Sequence, residues 1–495
     1  MSRKKIAIAA HLDAYLQSEK LNVPTGYEQV KARTSAAESV PILIDLERSH
    51  GAWVFDCIQN QAFLDFHGGF GSDPFGKNSA VFDTPLATKL LMQTAQNKMA
   101  HSDFSTHEYV TSVALIWRHY VQHLGPEFQN GHLHLIDGGS MAMNQAIAAA
   151  IGTKVTQNWN LGITSSLPFQ QRVARASVSS PGPYPVGQMV ISMNNSFHGR
   201  DGLTASLSHG AFKLDALPKL NFQHVEAPYT TEAAEIEARL TSLENKIKTL
   251  GPELAAVVIE DAIQCEGGDL HVPVDFYKGL RRLADTYGFF VIYDGVQTGF
   301  YSSGDPAAFL TIGAPAPDIY VTAKKASVGA VIATTNMANL PESAFKVPGK
   351  LDSTFGGDSV CVARFAIAAT AMRIPEFRAP MKARYEVLAE GLADLAKKFP
   401  TLIQETRALG TLLTIKTVPT LSATRVIETA FQHNLLLLHS RDPHTIRLRP
   451  NLDIQDAEVA ECLTRLNRVF EVLSQQQPST PSPIISEVTT EEGDS

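Results

Sequence analysis

Hydrophobic and polar positions follow two rhythms through the middle of the chain. In "TEAAEIEARLTSLENKIKTLG", Ala233, Ile236, Leu240, Leu243, Ile247 and Leu250 recur at alternating three- and four-residue steps. That spacing predicts one face of a helix, stopped by Gly251-Pro252. "LAAVVI" (254–259) is a short continuous apolar run, as a strand buried on both faces requires. "PVDFYKGLRRLADTYG" returns to helical spacing, with Tyr277, Leu280, Leu283, Ala284 and Tyr287 inward and Gly288 as the stop. "FFVIY" (289–293) and "DIYVT" (318–322) read as two further strands. Strands separated by helices predict parallel pairing in a doubly wound α/β sheet.

In such sheets ligands sit at the carboxyl ends of the strands. The polar residues just after each strand are therefore informative. Glu260 and Asp261 follow the first, Asp294 the second, and Lys324-Lys325 the third. A lysine and an aspartate converging on one edge suit pyridoxal phosphate. The lysine attaches the cofactor, and the aspartate pairs with the pyridinium nitrogen so that the ring acts as an electron sink. Read in isolation, "YVTAKKASVG" (320–329) holds an ordinary exposed charge pair, and Lys325 keeps that reading.

Composition narrows the partners. The net charge of −8 offers no basic field for nucleic acid or an anionic membrane. No apolar run reaches the roughly 18 residues of a membrane helix. The start, "MSRKKIAIAAHLDAYLQ", is interrupted by His11 and Asp13 and predicts an amphipathic helix rather than a signal peptide. Cys57, Cys265, Cys361 and Cys462 are widely spaced, which suits a reducing cytoplasm. "GGFGSDPFG" (68–76) lacks the strand–turn–helix context of a dinucleotide loop, and "GHLHL" offers two histidines without a third metal ligand. No metal is expected. The tail 474–495 is rich in Pro, Ser and Thr, then acidic, and is expected to be disordered.

Several blocks together resemble the class-III, fold type I aminotransferases. They are "IQCEGGDLHVPVDFYKGLRRLADTYGFFVIYDGVQTGF", "NSFHGRDGLTASLSHG" (195–210), "LDSTFGGD" (351–358) and "TIRLRPNL" (445–452), in order along the chain. "HGRDGLTASL" and "STFGGD" are most similar to the L-lysine 6-aminotransferases, then the 4-aminobutyrate aminotransferases. The resemblance implies a large domain with a mostly parallel seven-stranded sheet sandwiched by helices, plus a smaller α+β domain. Residues 76–345 would form the large domain. Residues 346–473, joined by 1–75, would form the small one.

The resemblance also assigns the site. Lys324, six residues after Asp318, would carry pyridoxal phosphate, and Asp294 would face its ring nitrogen. Val296 would pack on one ring face and Phe197 on the other, with Gln297 near the ring hydroxyl. His198, Asp261 and Gln264 complete the cofactor contacts. Gly139-Ser140 would receive the phosphate. A helix N-terminus with free N–H groups suits that role, although a plain helix cap reads equally well. Thr354 would reach the phosphate from the partner subunit of a homodimer. Arg200 would bind the carboxylate of the ω-amino substrate, since a planar guanidinium grips carboxylates. Glu266 would cover Arg447 until a 2-oxo acid arrives.

The chain departs from the family at Gly295, where Glu is usual. It departs again at Asp261-Ala262, where Glu-Pro is usual, and at Asn144-Gln145, where Glu-Asn is usual. The expected reaction moves the terminal amino group of L-lysine to 2-oxoglutarate, giving 2-aminoadipate 6-semialdehyde and glutamate. Other ω-amine donors (4-aminobutyrate, ornithine, a diamine), a different reaction of the same cofactor such as racemisation, and a catalytically degenerate binding protein remain open.

Overall fold

A computed structural model describes residues 12–14, 32–33, 40–101, 103–169, 182–209 and 219–476. Most of the expected N-terminal helix, and the tail beyond Gln476, lie outside the described residues. Three antiparallel strands come first: β1 (Ile44–His50), β2 (Trp53–Asp56) and β3 (Gln61–Asp65). The central sheet follows. Its strands are β4 (His132–Ile136), β5 (Met189–Met193), β6 (Gln223–Val225), β7 (Leu254–Glu260), β8 (Phe290–Gly295), β9 (Ile319–Thr322) and β10 (Gly329–Ala333). Their order across the sheet is β4-β10-β9-β8-β7-β5-β6. Pairing is parallel from β9 to β6, while β10 runs antiparallel to both its neighbours.

Every residue of β5, β7 and β10 is buried, as near-continuous apolar strands covered on both faces should be. Helix α1 (Gly139–Asn160), α2 (Ala233–Leu250) and α3 (Val274–Tyr287) belong to this layer. α2 buries Ile236, Leu240, Leu243 and Ile247, four of the six positions its spacing selected. α3 buries Phe276 and leaves Tyr287 outside, where its hydroxyl donates to Glu244 at 2.6 Å. A tyrosine in a last turn can lay its ring on the surface and satisfy its hydroxyl there. Gly288 caps α3 in the left-handed conformation, as its place after the last apolar position requires.

The C-terminal part begins with α4 (Pro375–Lys398). A four-stranded antiparallel sheet follows, built from β11 (Ile403–Leu409), β12 (Leu412–Thr417), β14 (Leu438–His439) and β15 (Thr445–Leu448) in the order β11-β12-β15-β14. β13 (Leu435–Leu436) instead pairs in parallel with β3, which ties the N-terminal strands to this part. Helix α5 closes it and runs Asp456–Gln475, so the first two residues of the expected tail are helical. Among the described residues no helix is long and apolar enough to cross a membrane.

Candidate active site

Strand β9 ends at Thr322, and the chain turns sharply through Lys324–Ala326. Lys324 adopts φ 42 and Ser327 φ 65, left-handed values that non-glycine residues rarely hold. Such strain collects at functional sites. The half-buried Lys324 side chain runs to the opposite wall, where Nζ donates to Phe70 O at 3.1 Å. That carbonyl belongs to a turn at Gly68–Gly71, with Gly69 and Phe70 both at positive φ. Gly68 is required there because a Cβ would collide with the Arg449 carbonyl. Desolvation takes the Lys324 amine down to about 8; Glu266 opposes this shift and Arg447 adds to it.

Asp294 lies near the end of β8 with both oxygens engaged. Oδ2 accepts from His198 Nδ1 at 2.7 Å, and Oδ1 accepts from Val296 N at 3.0 Å. His198 is itself buried, and its backbone N–H donates to Ser208 Oγ at 2.8 Å. Phe197 is half-buried, and its N–H donates to Glu260 Oε1 at 3.1 Å.

Gly139 and Ser140 open α1, and Gly138 is its cap with φ 85 and no side-chain hydrogen bond. The first turn of the helix carries no acidic residue. Its N–H groups and dipole therefore face a place suited to an anion. Ser140 is a first-turn residue, not a cap. Its hydroxyl meets Thr204 Oγ1 at 3.0 Å and accepts from Arg200 N at 3.2 Å. Arg200 is exposed, its guanidinium 5.9 Å from the Phe197 ring. Thr354 lies on an exposed loop.

Two arginines project from β15 and the residue after it. Arg447 Nη1 donates to Glu266 Oε1 at 2.8 Å, and Nε donates to His439 O at 2.9 Å. Burial works to raise the Glu266 carboxyl, but Arg447 holds it below its ordinary value. Arg449 Nη2 donates to both oxygens of Asp269, at 2.7 and 2.6 Å. The Gln297 amide oxygen joins the two, accepting from Arg447 Nη1 at 3.5 Å and Arg449 Nε at 3.2 Å.

The sequence pattern that defines the family described as aminotransferase class-III matches residues 34–470. The chain belongs to the class-III aminotransferases. The aminotransferase is 27% identical to an L-lysine-epsilon aminotransferase of Mycobacterium tuberculosis, over 94% of this chain and 100% of that protein. It is 26% identical to a protein of the same name from Streptomyces clavuligerus, over 86% of this chain and 90% of that protein. The solved lysine aminotransferase from M. tuberculosis in the internal aldimine form aligns with a TM-score of 0.80 and 27% identity, covering 90% of this chain and 98% of that chain.

Pyridoxal phosphate, the cofactor of these enzymes, fits the residues present. A Cβ on Gly139 would come within 2.6 Å of Val296 Cγ1, while one on Gly138 would meet nothing within 4 Å. Backbone can therefore approach a phosphate there with no side chain in between. Asp294 and Lys324 stand at the ends of adjacent strands, as a ring held between them needs.

Two of the expected cofactor contacts, Asp261 and Gln264, also bond protein groups. Asp261 Oδ2 accepts from Ala308 N at 2.9 Å. Gln264 Nε2 donates to Asn194 O at 2.7 Å, and its amide oxygen accepts from Tyr229 OH. The departures from the family also have local reasons. Gly295 leaves room for the Tyr320 ring, which a Cβ there would strike. Ala262 adopts φ 65, which the proline usual at this place cannot reach. Asn144 clamps α1 to the next segment, donating to Asp201 O at 2.8 Å and accepting from Leu203 N at 2.7 Å.

Three features escaped the sequence reading. The first is the turn at Gly68–Gly71, whose signal was its cluster of glycines. The second is the Arg449–Asp269 pair. The third is Lys325, read as an exposed, ordinary lysine. It is 1% exposed, and its Nζ has no hydrogen-bond partner among the described residues. Its amine falls to about 7, through burial first and the nearby Arg449 second.

Proposed function

We propose that this aminotransferase takes the ε-amino group of L-lysine and delivers it to 2-oxoglutarate. The observation that carries the reading is the 2.8 Å Glu266–Arg447 pair, whose two charges are both felt at Lys324. A two-substrate site must first accept an amine-bearing carbon with no carboxylate beside it, then a keto carbon that has one. Glu266 neutralises Arg447 for the first and rotates away for the second, freeing the guanidinium to grip the α-carboxylate. Similarity along almost the whole chain to proteins named L-lysine-epsilon aminotransferase supports lysine as the donor.

Bound here, the cofactor's pyridinium ring takes up the electron pair released at the substrate carbon. The chain's own residues do the rest. Asp294, oriented by His198, holds a negative charge at the ring nitrogen. The α1 N-terminus and Ser140 hold the phosphate. Phe197 and Val296 cover the ring faces. Lys324, unprotonated in a substantial fraction near pH 8, would take the proton from the substrate ε-carbon and deliver it to the cofactor carbon on the far side of the bridging nitrogen. Arg200 receives the lysine carboxylate, and Thr354 serves the neighbouring subunit of a homodimer. The four cysteines are unpaired, which supports a reducing, cytoplasmic setting.

A panel of donors tests this in single half-reactions, followed by the cofactor's visible absorbance. Lysine should convert the enzyme, and ornithine and 4-aminobutyrate should do so at least tenfold more slowly. Conversion by 4-aminobutyrate or ornithine but not by lysine overturns the lysine assignment and leaves the family unchanged.

A further inference from the structure

β7 ends on Glu260, and its register partner on the adjacent parallel strand is Asp294. Directly opposed residues of paired strands put their side chains on the same face of the sheet, and consecutive residues alternate. Glu260 therefore shares the face of Asp294, while Asp261 turns to the other face and to Ala308. Both Glu260 and Asp294 are 6% exposed. Glu260 Oε1 accepts from Phe197 N at 3.1 Å, while Oε2 meets no hydrogen-bond partner at full geometry among the described residues, the Cys265 N–H being the nearby donor. Both Asp294 oxygens are engaged, one by a histidine.

An ionised Glu260 would place a second negative charge beside Asp294, with only the backbone N–H groups of Phe197 and Cys265 to stabilise it among the described residues. Two like charges in one buried site are resolved by keeping a proton on one of them. The groups acting on Glu260 are Asp294 and Glu266, the backbone N–H groups of Phe197 and Cys265, and the Cys265, Tyr229 and Tyr277 side chains, and none of them carries a positive charge. Burial, then Asp294, pushes the Glu260 carboxyl well above the usual carboxylate range.

We propose that Glu260 is a proton-bearing positioning residue of the cofactor site. It fixes the backbone of Phe197 through Oε1 and leaves Asp294 as the single ionised carboxylate at the ring-nitrogen end. Its proton stays on Oε2 throughout the reaction. The inference rests on the cofactor reading of the site and not on which amine is the donor, so it survives failure of lysine in the donor panel.

Glu260→Gln tests it, because an amide copies a neutral carboxylic acid in shape and in its acceptor and donor. Infrared spectra of the apoprotein at pH 7 should show a carboxylic-acid C=O band that shifts in deuterium oxide and is missing from Glu260→Gln. The Asp261 contribution cancels in this difference. Superimposable spectra overturn the proposal. Pyridoxal phosphate affinity should stay within about threefold of wild type in Glu260→Gln and fall about tenfold or more in Glu260→Ala, which frees the Phe197 N–H. An amide variant as weak as the alanine variant also overturns it, since the charge would then have been the working feature.

Discussion

Two arginines stand two residues apart at the end of β15, each against a carboxylate, and they are built to opposite ends. Arg449 and Asp269 have side-chain exposures of 0% and 1%; for Arg447 and Glu266 they are 2% and 27%. Arg449 is satisfied on every nitrogen, by Asp269, by Gln297 and by the Leu413 and Leu448 carbonyls at 3.1 Å. Asp269 receives a further bond from Thr414 Oγ1 at 2.5 Å. Glu266 has a path to water, and among the described residues no side chain but Arg447 holds its carboxylate. The contrast teaches that burial of both partners makes a clamp, while exposure of one makes a latch. Gln297 touches both arginines, so the clamp holds the platform against which the latch moves.

The largest effect should come from breaking the clamp. Arg449→Leu leaves Asp269 buried and unpaired, at a cost of about 3–5 kcal/mol. Denaturant unfolding should show the loss, and a variant as stable as wild type would refute the clamp. Breaking the latch should act on chemistry instead. Arg447→Ala frees a carboxylate that can turn to solvent, so stability should hold. The half-reaction with 2-oxoglutarate should slow about 10²–10³-fold, a loss of about 2.7–4 kcal/mol in binding a carboxylate. The lysine half-reaction should change far less.

Lys325 sharpens the comparison because it is a buried lysine whose Nζ has no hydrogen bond among the described residues, with Asp65 and Asp73 acting on it only at a distance. Its folded value, about 7, lies below the ordinary lysine value of 10.5. The unfolded chain therefore binds more protons between these values, and stability rises with pH across that window. Lys325→Met should remove this rise. It should stabilise the apoprotein by about 1–3 kcal/mol below pH 7, a gain that fades by about pH 10. Melting curves across that range decide it. A loss of stability at pH 6 would mean the ammonium has a compensating role.

What the sequence revealed depended on how local the physics was. The two helices and the three parallel strands around the site were legible because each obeys one period over 4 to 18 residues. Lys324, Asp294 and the Glu266–Arg447 pair were legible because motifs fix them at strand ends. Strand β10, "GAVIA", runs antiparallel to both its neighbours, and its short apolar run carries no directional signal. Lys325 is buried, and among the charges that act on it are Asp65 and Asp73, some 250 positions away, which no local pattern reports. Glu260 and Asp261 could have been told apart, since strand alternation allows only one of them to share the face of Asp294.

The smallest effect sharpens the latch itself. Lys324 sits within reach of both its charges: Glu266 raises the lysine value and Arg447 lowers it. Glu266→Gln removes the raising charge and leaves Arg447 unpaired, so both changes push the Lys324 amine below about 8. Arg447→Ala removes the lowering charge and should push it up. Only the unprotonated amine attacks the cofactor aldehyde, so attachment of pyridoxal phosphate to the apoenzyme should speed up with pH through this value. The midpoint should move down by roughly half a unit to one unit in Glu266→Gln and up by a similar amount in Arg447→Ala, each worth about 0.7–1.4 kcal/mol. Stopped-flow absorbance across pH 6–10 measures both. Opposite shifts of similar size would show the latch setting the lysine from both sides. Midpoints unmoved in both variants would show that desolvation alone sets Lys324, and that the latch acts only on the incoming carboxylate.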